Sequence, residues 1–240
     1  MERLDNRKAD QLRPVTIKRD FQMHPTGSAL IEFGDTRVVC AVTVLNGIPR
    51  WMREQKVSGG WLTAEYQMLP SATPERNQRE SSRGRPSGRS QEIQRLIGRS
   101  LRSVVDLETT GARTLQVDCD VLDADGGTRC AAVTGACVAL ELALRKLFVN
   151  GDISSWPMKN RVAAVSVGML DGDALLDLDY REDNAAQVDM NIVMTDADEY
   201  VEVQGTAEEK TFSRSDMEKM LALGRKGVGE LLDIQKRTLK

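Results

Sequence analysis

Residues 114–149 pass from the alternating pattern of a β-strand to a helical segment across a short turn, and this change restricts the fold more than any other feature. Apolar and polar side chains alternate over residues 114–122, which predicts a half-buried strand. Residues 123–127 (Asp-Ala-Asp-Gly-Gly) form a turn, and a helix of about residues 128–149 follows.

The longest uncharged apolar stretch, residues 130–140, is far shorter than the roughly 20 residues of a membrane helix, so we expect no membrane span.

Further strands and helices are expected on both sides of this segment. Two β-branched runs within residues 28–45, separated by Gly34-Asp35-Thr36, predict a hairpin. The remaining elements are a strand at 61–69, a helix with a buried stripe from Ile93 to Val105, a hairpin at 162–170 and 174–180, strands at 188–194 and 200–203, and a helix that begins at Ser213. This order indicates an α+β fold, with mixed sheets and packed helices. We expect one domain over residues 1–240, with a weak pseudo-repeat of two hairpin-led halves that meet near residues 150–161.

Composition excludes several classes of protein. A hydrophobic fraction of 40% and a net charge of −3 argue against a disordered chain and against a histone-like binder of nucleic acid. Residues 1–8 mix both charges and lack an apolar core, so they are not a secretory signal, and a cytoplasmic protein is expected.

The counts of histidine and cysteine restrict the chemistry further. The chain has one histidine, His24, which lies beside Pro25 and is expected in a turn, so Ser-His-Asp triads and multi-histidine zinc sites are disfavoured. Its four cysteines form no CxxC pair and are expected to be reduced thiols in the core. Catalysis is therefore left to carboxylates, arginine, lysine and bound metal.

A strongly basic segment lies at residues 76–102. It contains eight arginines and two glutamates, a local charge of +6, so the rest of the chain sums to −9. Residues 70–88 are rich in Pro, Ser, Gly and Arg and predict a long mobile loop, whose arginines (76, 79, 83 and 85) favour contact with nucleic acid over simple solvation. Arg95, Arg99 and Arg102 follow on one helix face, which is interpreted as solvated or as a subunit contact.

Two weaker signals concern phosphate and metal. Residues 125–129 (Asp-Gly-Gly-Thr-Arg) join a strand to a helix, and they predict either an anion site at the helix N-terminus or an ordinary turn with a threonine cap. Asp189 and Asn191 share one face of a strand, with Asp183 just upstream. These residues either form a solvated strand face or supply oxygen ligands to a hard cation.

Motifs spread over nearly the whole chain closely resemble those of the ribonuclease PH family, in the same order. They are Phe33-Gly-Asp-Thr36, Trp61-Leu-Thr-Ala-Glu-Tyr66, Gly88-Arg89, Gln91-Glu-Ile-Gln-Arg-Leu-Ile97, Asp118-Cys-Asp120, Ala124-Asp-Gly-Gly-Thr-Arg129, Thr134-Gly-Ala-Cys137, Asp189-Met-Asn191 and Val203-Gln-Gly-Thr206. The resemblance implies a fold like that of ribosomal protein S5 domain 2 and a homo-hexameric ring built as a trimer of dimers. It also implies a phosphorolytic 3′→5′ exoribonuclease that trims tRNA precursors and other RNA 3′ ends, with inorganic phosphate as co-substrate and nucleoside diphosphates as products.

The resemblance assigns roles to individual residues. It implies that Arg89, Gly127, Thr128 and Arg129 bind phosphate, and that Arg76 and Arg79 contact RNA. Asp183 and Asp189 correspond to the acidic pair that acts in catalysis or binds a metal, which we expect to be Mg²⁺. The sequence departs from the usual family pattern at Ser71, where many members carry arginine, and at Cys130, where threonine is common.

Two other functions are consistent with these residues. In a metal-dependent hydrolytic RNase, Asp183 and Asp189 would activate water and the Gly-Gly-Thr-Arg turn would only bind substrate phosphate. In a non-catalytic RNA-binding ring subunit, the phosphate site or the acidic pair would be lost, whereas this sequence contains both. Phosphorolysis needs arginines and a metal to offset the repulsion between two phosphate anions and needs no histidine, which agrees with the composition.

Overall fold

The computed structural model describes residues 3, 5–208 and 211–240 of the chain. Within these residues the structure contains nine strands and six helices. In chain order they are β1 Val15–Arg19, β2 Gly27–Phe33, β3 Thr36–Asn46, α1 Arg50–Glu54, β4 Trp61–Met68, α2 Glu80–Arg83, α3 Gly88–Val104, β5 Arg113–Asp123, α4 Thr128–Val149, β6 Val162–Leu170, β7 Asp173–Leu176, α5 Tyr180–Ala185, β8 Val188–Thr195, β9 Tyr200–Ala207 and α6 Arg214–Thr238.

The strands form two sheets. The first has the order β1-β2-β3-β5-β4 and is antiparallel except for the β4–β5 pair, which is parallel because α3 lies in the crossover between these strands. The second sheet has the order β7-β6-β8-β9 and is antiparallel throughout. The expected α+β fold with mixed sheets and packed helices is therefore confirmed.

Helix α4 forms the centre of the core. It packs against β2 and β3 on one side and β6 on the other, so every residue from Cys130 to Leu144 is buried. Gly135 makes this possible at one point, because a β-carbon there would lie 2.7 Å from Ile31 Cγ2 in β2. Helix α6 covers the other face of the second sheet, where Gly224 packs against Ile192. The two central strands of this sheet, β6 and β8, are thus buried on both faces, whereas β9 is largely exposed.

Most predicted elements are present with shifted ends. The strand predicted at 114–122 is β5, and its apolar residues are buried. In the second hairpin, Asp171 and Gly172 have φ angles of 50° and 89°, as a two-residue turn of type I′ requires. β7 ends at Leu176 because Asp179 caps the following helix, α5. Cys40, Cys119, Cys130 and Cys137 are buried and free, and His24 is exposed in a bend, as expected.

Several expectations were wrong or incomplete. Strand β1 and helices α1 and α5 were not predicted, because each is five or six residues long and carries little periodic signal. The 70–88 segment is not one continuous loop. It contains α2, and the Glu80 carboxylate accepts hydrogen bonds from Ser87 N and Ser90 Oγ, which anchor this helix to the start of α3.

The arginine face of α3 is largely exposed, as expected, although two of its residues have partners within the chain. Arg99 donates to Glu202 Oε2 at 2.7 Å, and Arg102 lies 5.3 Å from the centre of the Trp61 ring. Arg95 and Arg99 are exposed, and Arg102 is half-buried.

Within residues 1–8, for which no secretory signal was predicted, Met1, Glu2 and Leu4 lie outside the described residues. In the part of the chain that the structure describes, no helix is long and apolar enough to cross a membrane. The first sheet comprises residues 15–123 and the second residues 162–207, while the predicted pseudo-repeat of two halves meeting near 150–161 stays a prediction.

Candidate active site

Four of the residues predicted for the site come together in one open cavity of about 550 Å³. Arg89 comes from α3, Arg129 from α4, Asp183 from α5 and Asp189 from β8, so four elements from both halves of the chain contribute. The other lining residues are Glu92, Asn184, Ala185, Ala186, Gln204, Thr206 and Glu208. Nearly all of these side chains are polar, so the cavity suits a charged, hydrated ligand.

The two arginines lie at the N-terminal ends of their helices. Arg89 is the second residue of α3, whose N-cap Ser87 accepts from Ser90 N. Its side chain is exposed, and among the described residues it makes no hydrogen bond or ion pair. Arg129 is the second residue of α4, and its Nη1 donates to Gln204 Oε1 at 3.1 Å and to Glu92 Oε1 at 3.3 Å. These contacts hold Arg129 in place, while Arg89 is free to bind a ligand.

The two aspartates lie on neighbouring elements. Asp183 is on the short helix α5, which begins with a complete capping box formed by Asp179 and Glu182. Asp189 is the second residue of β8, directly opposite Gly168 of β6 and Thr206 of β9, and its side chain is half-buried. The cap fixes the start of α5 and the sheet fixes β8, so both carboxyl groups project from well-defined backbone.

Electrostatic coupling links the aspartates to the arginines. Burial raises the pKa of the Asp183 carboxyl above its ordinary value, and the neighbouring Asp189 carboxylate raises it further. The positive charges of Arg89 and Arg129 oppose this rise, as does that of the more deeply buried Arg13. The site therefore combines two interacting carboxylates with nearby guanidinium groups.

Gly127 and Thr128 lie beside this cavity and do not line it. Gly127 is the N-cap of α4 with a φ of 64°, and it has no side chain with which to cap the helix. Thr128 is buried, and its hydroxyl lies 2.8 Å from the Tyr66 hydroxyl in β4. The Thr128 hydroxyl thus has a structural partner, and its backbone N–H, in the first turn of α4, is a donor that needs no partner within the helix.

The predicted RNA-contacting arginines lie outside the cavity. Arg76 and Arg79 are exposed and make no ion pair within the described part of the chain. Two residues of the same loop, Asn77 and Gln78, line a smaller groove of about 150 Å³ that shares Arg89 with the main cavity. Arg89 therefore lies between this groove and the main cavity. The Arg83 side chain, which was grouped with this loop, lies outside what the structure describes.

Asn191, the third residue predicted at the metal site, does not line the cavity. Asn191 was expected on an exposed face with Asp189, but it is 9% exposed, and the Cys130 thiol donates to its Oδ1 at 3.3 Å. The reason is that α4 covers this face of β8. Cys130, one of the two departures from the family pattern, is therefore a buried packing residue whose pKa is raised to about 12 by burial. Ser71, the other departure, is exposed.

The acidic pair offers two carboxylates to a cation such as Mg²⁺. Among the described residues no third carboxylate, histidine or cysteine joins Asp183 and Asp189 in a cluster that could hold a metal. Mg²⁺ commonly keeps several waters and binds through one or two carboxylates together with substrate phosphates. Asp183 and Asp189 supply two carboxylate ligands, and their mutual repulsion raises the pKa of Asp183. Such a pair fits Mg²⁺.

Gln204 is the most informative site residue that was not predicted individually. It lines the cavity and accepts a hydrogen bond from Arg129, and it belongs to the Val203-Gln-Gly-Thr206 motif that contributed to the family resemblance. Thr206 lies in the same motif and in the same cavity. The motif therefore held the signal, although no role was assigned to its residues.

Comparison with known proteins gives consistent results over most of the chain. Residues 11–145 match domain 1 of the 3′ exoribonuclease family, RNase PH, and residues 160–227 match domain 2. Among solved structures, the fold resembles rice (Oryza sativa) Rrp46, with a TM-score of 0.80, 22% identity and coverage of 99% of this chain and 100% of that one.

Two exosome structures are also similar. An Archaeoglobus fulgidus exosome with RNA bound to the active site matches with a TM-score of 0.82, 23% identity and coverage of 97% of this chain and 92% of that one. An archaeal exosome core matches with a TM-score of 0.78, 22% identity and coverage of 98% and 91%. At these identities the structural likeness establishes the fold alone. The two family matches extend over both halves of the chain, and the protein therefore belongs to the RNase PH family of 3′ exoribonucleases.

Proposed function

We propose that this protein is a phosphate-dependent 3′→5′ exoribonuclease, which transfers the terminal nucleotide of an RNA to inorganic phosphate and releases a nucleoside diphosphate. The observation that carries the proposal is the convergence of Arg89, Arg129, Asp183 and Asp189 on one polar cavity. A hydrolytic enzyme needs to place a neutral water against the phosphodiester. A phosphorolytic enzyme must place a dianion there, and paired arginines beside a helix N-terminus suit that task.

The arginines and the start of α4 would bind the attacking phosphate. Arg89 has no competing partner among the described residues, and Arg129 is held by Gln204, so one guanidinium is adaptable and the other is fixed. The N–H groups at the first turn of α4, following Gly127, add further donors near the same position. Together these groups would offset the repulsion between inorganic phosphate and the phosphodiester.

The carboxylates would act on the departing side of the reaction. Asp183 and Asp189 would hold Mg²⁺, which when bound supplies positive charge against the two phosphate groups. As an alternative to binding the metal, the Asp183 carboxyl, whose pKa is raised by burial, would deliver a proton to the departing 3′ oxygen. The bond from phosphorus to that oxygen breaks as the bond from phosphorus to the attacking phosphate forms.

The RNA would approach along the basic loop. Arg76 and Arg79 are exposed, and Asn77 and Gln78 between them line a groove that includes Arg89. The loop would therefore hold the body of a tRNA precursor while its 3′ end enters the cavity. We further propose a homo-hexameric ring, built as a trimer of dimers, because one 26.6 kDa chain offers little surface for a tRNA. The resemblance to subunits of exosome structures supports a ring.

A non-catalytic ring subunit is the second candidate. The fold resemblance to rice Rrp46 and to an archaeal exosome core favours a role in a larger RNA-processing assembly, and such a role needs no catalysis by this chain. Intact charged residues in the cavity favour the catalytic proposal. The hydrolytic alternative differs from both in the product that it forms.

Radiolabelled inorganic phosphate separates these three functions. Incubation of the protein with unlabelled RNA, Mg²⁺ and labelled phosphate is expected to place the label in nucleoside diphosphates. A hydrolytic RNase would release unlabelled nucleoside monophosphates. A ring subunit without catalysis would bind RNA and release neither product.

A further inference from the structure

Two turns beside the cavity are in direct contact. Residues 125–127 lead into α4 and therefore to Arg129, while residues 177–179 lead into α5 and therefore to Asp183. Gly126 packs against the backbone of the second turn, and Tyr180 N donates to Asp125 Oδ1 at 3.3 Å. The separation of the two turns consequently sets how the two helices, with their site residues, are placed.

Arg13, from the segment before β1, joins both turns. Its Nε and Nη2 donate to the two carboxylate oxygens of Asp177 at 3.1 and 2.7 Å, and its backbone N–H donates to the same carboxylate at 2.8 Å. Its Nη1 donates to the carbonyl oxygen of Asp125. The side chains of Arg13 and Asp177 are 3% and 1% exposed, so this ion pair is sequestered from water.

The backbone around Arg13 is shaped to admit its guanidinium. A β-carbon on Gly127 would lie 3.0 Å from Arg13 Nη2, so the glycine leaves room for the arginine. Asp177 has a φ of 54°, an unusual value for a residue other than glycine, and its N–H donates to Ser166 O at 2.7 Å. Strained backbone of this kind persists where surrounding contacts over-determine it, and it is concentrated at functional sites.

We propose that Arg13 is a positioning residue for the phosphate-dependent reaction. By binding both the 125–127 turn and the 177–179 turn, it fixes the position of Arg129 relative to Asp183. The proposal rests on the function proposed above, because the two residues held in register belong to the phosphate and acidic sides of that site. Arg13 does not line the cavity, so its effect on the reaction is indirect. A charge alone cannot perform this role, since Arg13 uses three separate guanidinium nitrogens on two turns.

The test compares Arg13→Lys with Arg161→Lys. Arg161 also forms a two-nitrogen ion pair with a buried carboxylate, at 2.6 and 2.8 Å from Glu141, but this pair lies near the middle of α4. Glu141 is 12 residues beyond Arg129, which corresponds to about 18 Å along the helix. The two variants therefore remove the same kind of interaction near the site and far from it.

Two readouts are expected to respond to Arg13→Lys. The kcat/KM for inorganic phosphate should fall about tenfold or more in Arg13→Lys, while Arg161→Lys stays within about twofold of wild type, because misplacement of reacting groups is costly even over short distances. Amide hydrogen exchange should accelerate at residues 125–129 and 178–185 together in Arg13→Lys and at neither segment in Arg161→Lys. Asp177→Asn, which keeps the side-chain shape, should reproduce both effects and serves if Arg13→Lys does not fold.

An equal loss of kcat/KM in the Arg13 and Arg161 variants, or faster exchange at one turn alone, would overturn the proposal. If wild-type protein has no phosphate-dependent activity, the proposed function fails, and the exchange measurement still decides whether Arg13 holds the two turns together.

Discussion

Gly126 and Asp179 approach each other so closely that a β-carbon on Gly126 would lie 2.6 Å from the carbonyl carbon of Asp179. Real β-carbons essentially never come this near to backbone, and Gly126 also has a φ of 73°. The first glycine of the 125–129 sequence is thus required by packing of the chain against itself. From sequence, residues 125–129 predicted either an anion site at the helix N-terminus or an ordinary turn.

Substitution of Gly126 is expected to destabilise the fold more than substitution of a glycine with similar backbone geometry. Gly172 has a φ of 89° and open space around its α-carbon, so Gly172→Ala should cost only the left-handed strain of about 1–2 kcal/mol. Gly126→Ala should lower the free energy of unfolding by about 1–3 kcal/mol more than this, because the added methyl group would overpack the turn. Urea denaturation of both variants measures the difference, and equal free energies of unfolding would contradict the packing argument.

Loss of either arginine in the cavity should weaken phosphate binding. A charge-assisted hydrogen bond contributes about 1.5–3 kcal/mol, so Arg89→Ala and Arg129→Ala should each raise the half-saturating phosphate concentration roughly ten- to a hundredfold. Lysine should recover part of this loss, because it restores charge without the two-pronged geometry. Arg95→Ala is the control, since Arg95 is exposed on α3 and does not line the cavity. An unchanged phosphate requirement in both alanine variants would exclude the arginine clamp.

Asp189→Asn should reduce turnover by about a hundredfold or more while RNA binding persists. The substitution keeps the shape of the side chain but removes a charged ligand or proton carrier from the site, and such groups contribute roughly 10²–10⁴-fold to rate. Asp196→Asn, beyond the other end of β8, is the control and should retain activity. Single-turnover rates at saturating Mg²⁺ provide the measurement, and near wild-type turnover of Asp189→Asn would remove this residue from the mechanism.

The double variant Arg76→Ala, Arg79→Ala should bind tRNA less tightly and with a weaker dependence on salt. Each lost phosphate contact lowers the slope of log affinity against log salt by about 0.7–0.9. The control is Arg50→Ala with Arg214→Ala, which removes two exposed arginines that already pair with glutamates on their own helices. Cleavage of a short oligonucleotide should change less than cleavage of tRNA. If the salt slope stayed the same, the loop would be assigned to solvent.

Asp118, on the outer face of the first sheet, should make stability depend on pH. Burial raises the pKa of its carboxyl, and Glu65, its neighbour across the β4–β5 pair, raises it further. The folded protein therefore binds more protons than the unfolded chain between the ordinary value of 3.8 and the raised pKa, so stability falls as pH rises through that window.

Asp118→Asn is accordingly expected to increase the midpoint of chemical denaturation at neutral pH. The gain should disappear below about pH 3.8, where the carboxyl is protonated in both states. Glu65→Gln should produce a smaller change in the same direction, because it removes the repulsion on Asp118 but leaves the burial that is the larger cause of the raised pKa. Denaturation of Asp118→Asn with the same midpoint as wild type at neutral pH would refute this account.

Local sequence patterns predicted the long elements of the fold well. The alternation in β5, the buried stripe of α3 and the capping residue Ser213 of α6 each reflect a periodic or capping preference within one segment. The short helix α5 was missed because its six residues carry little periodic signal, and part of what holds it lies far away in sequence. Arg3, for example, donates to Glu182 of α5 at 2.7 Å across 179 residues.

The same distinction applies to the site. Asp183 and Asp189 were identified together because they are near in sequence and match one family pattern. Their convergence with Arg89 and Arg129 required the packing of α3 and α4 against the second sheet, which no single segment encodes. The burial of Asn191 was missed for a related reason, since the strand pattern shows two faces but does not show that α4 covers the polar one.

The identity of the nucleotide released with and without inorganic phosphate tests the central claim most directly. Purified protein, a defined RNA and Mg²⁺ are incubated in two buffers that differ only in phosphate, and the products are separated by anion-exchange chromatography. The phosphorolytic account predicts nucleoside 5′-diphosphates in phosphate buffer and almost no cleavage without it. Release of nucleoside 5′-monophosphates at equal rates in both buffers would contradict it.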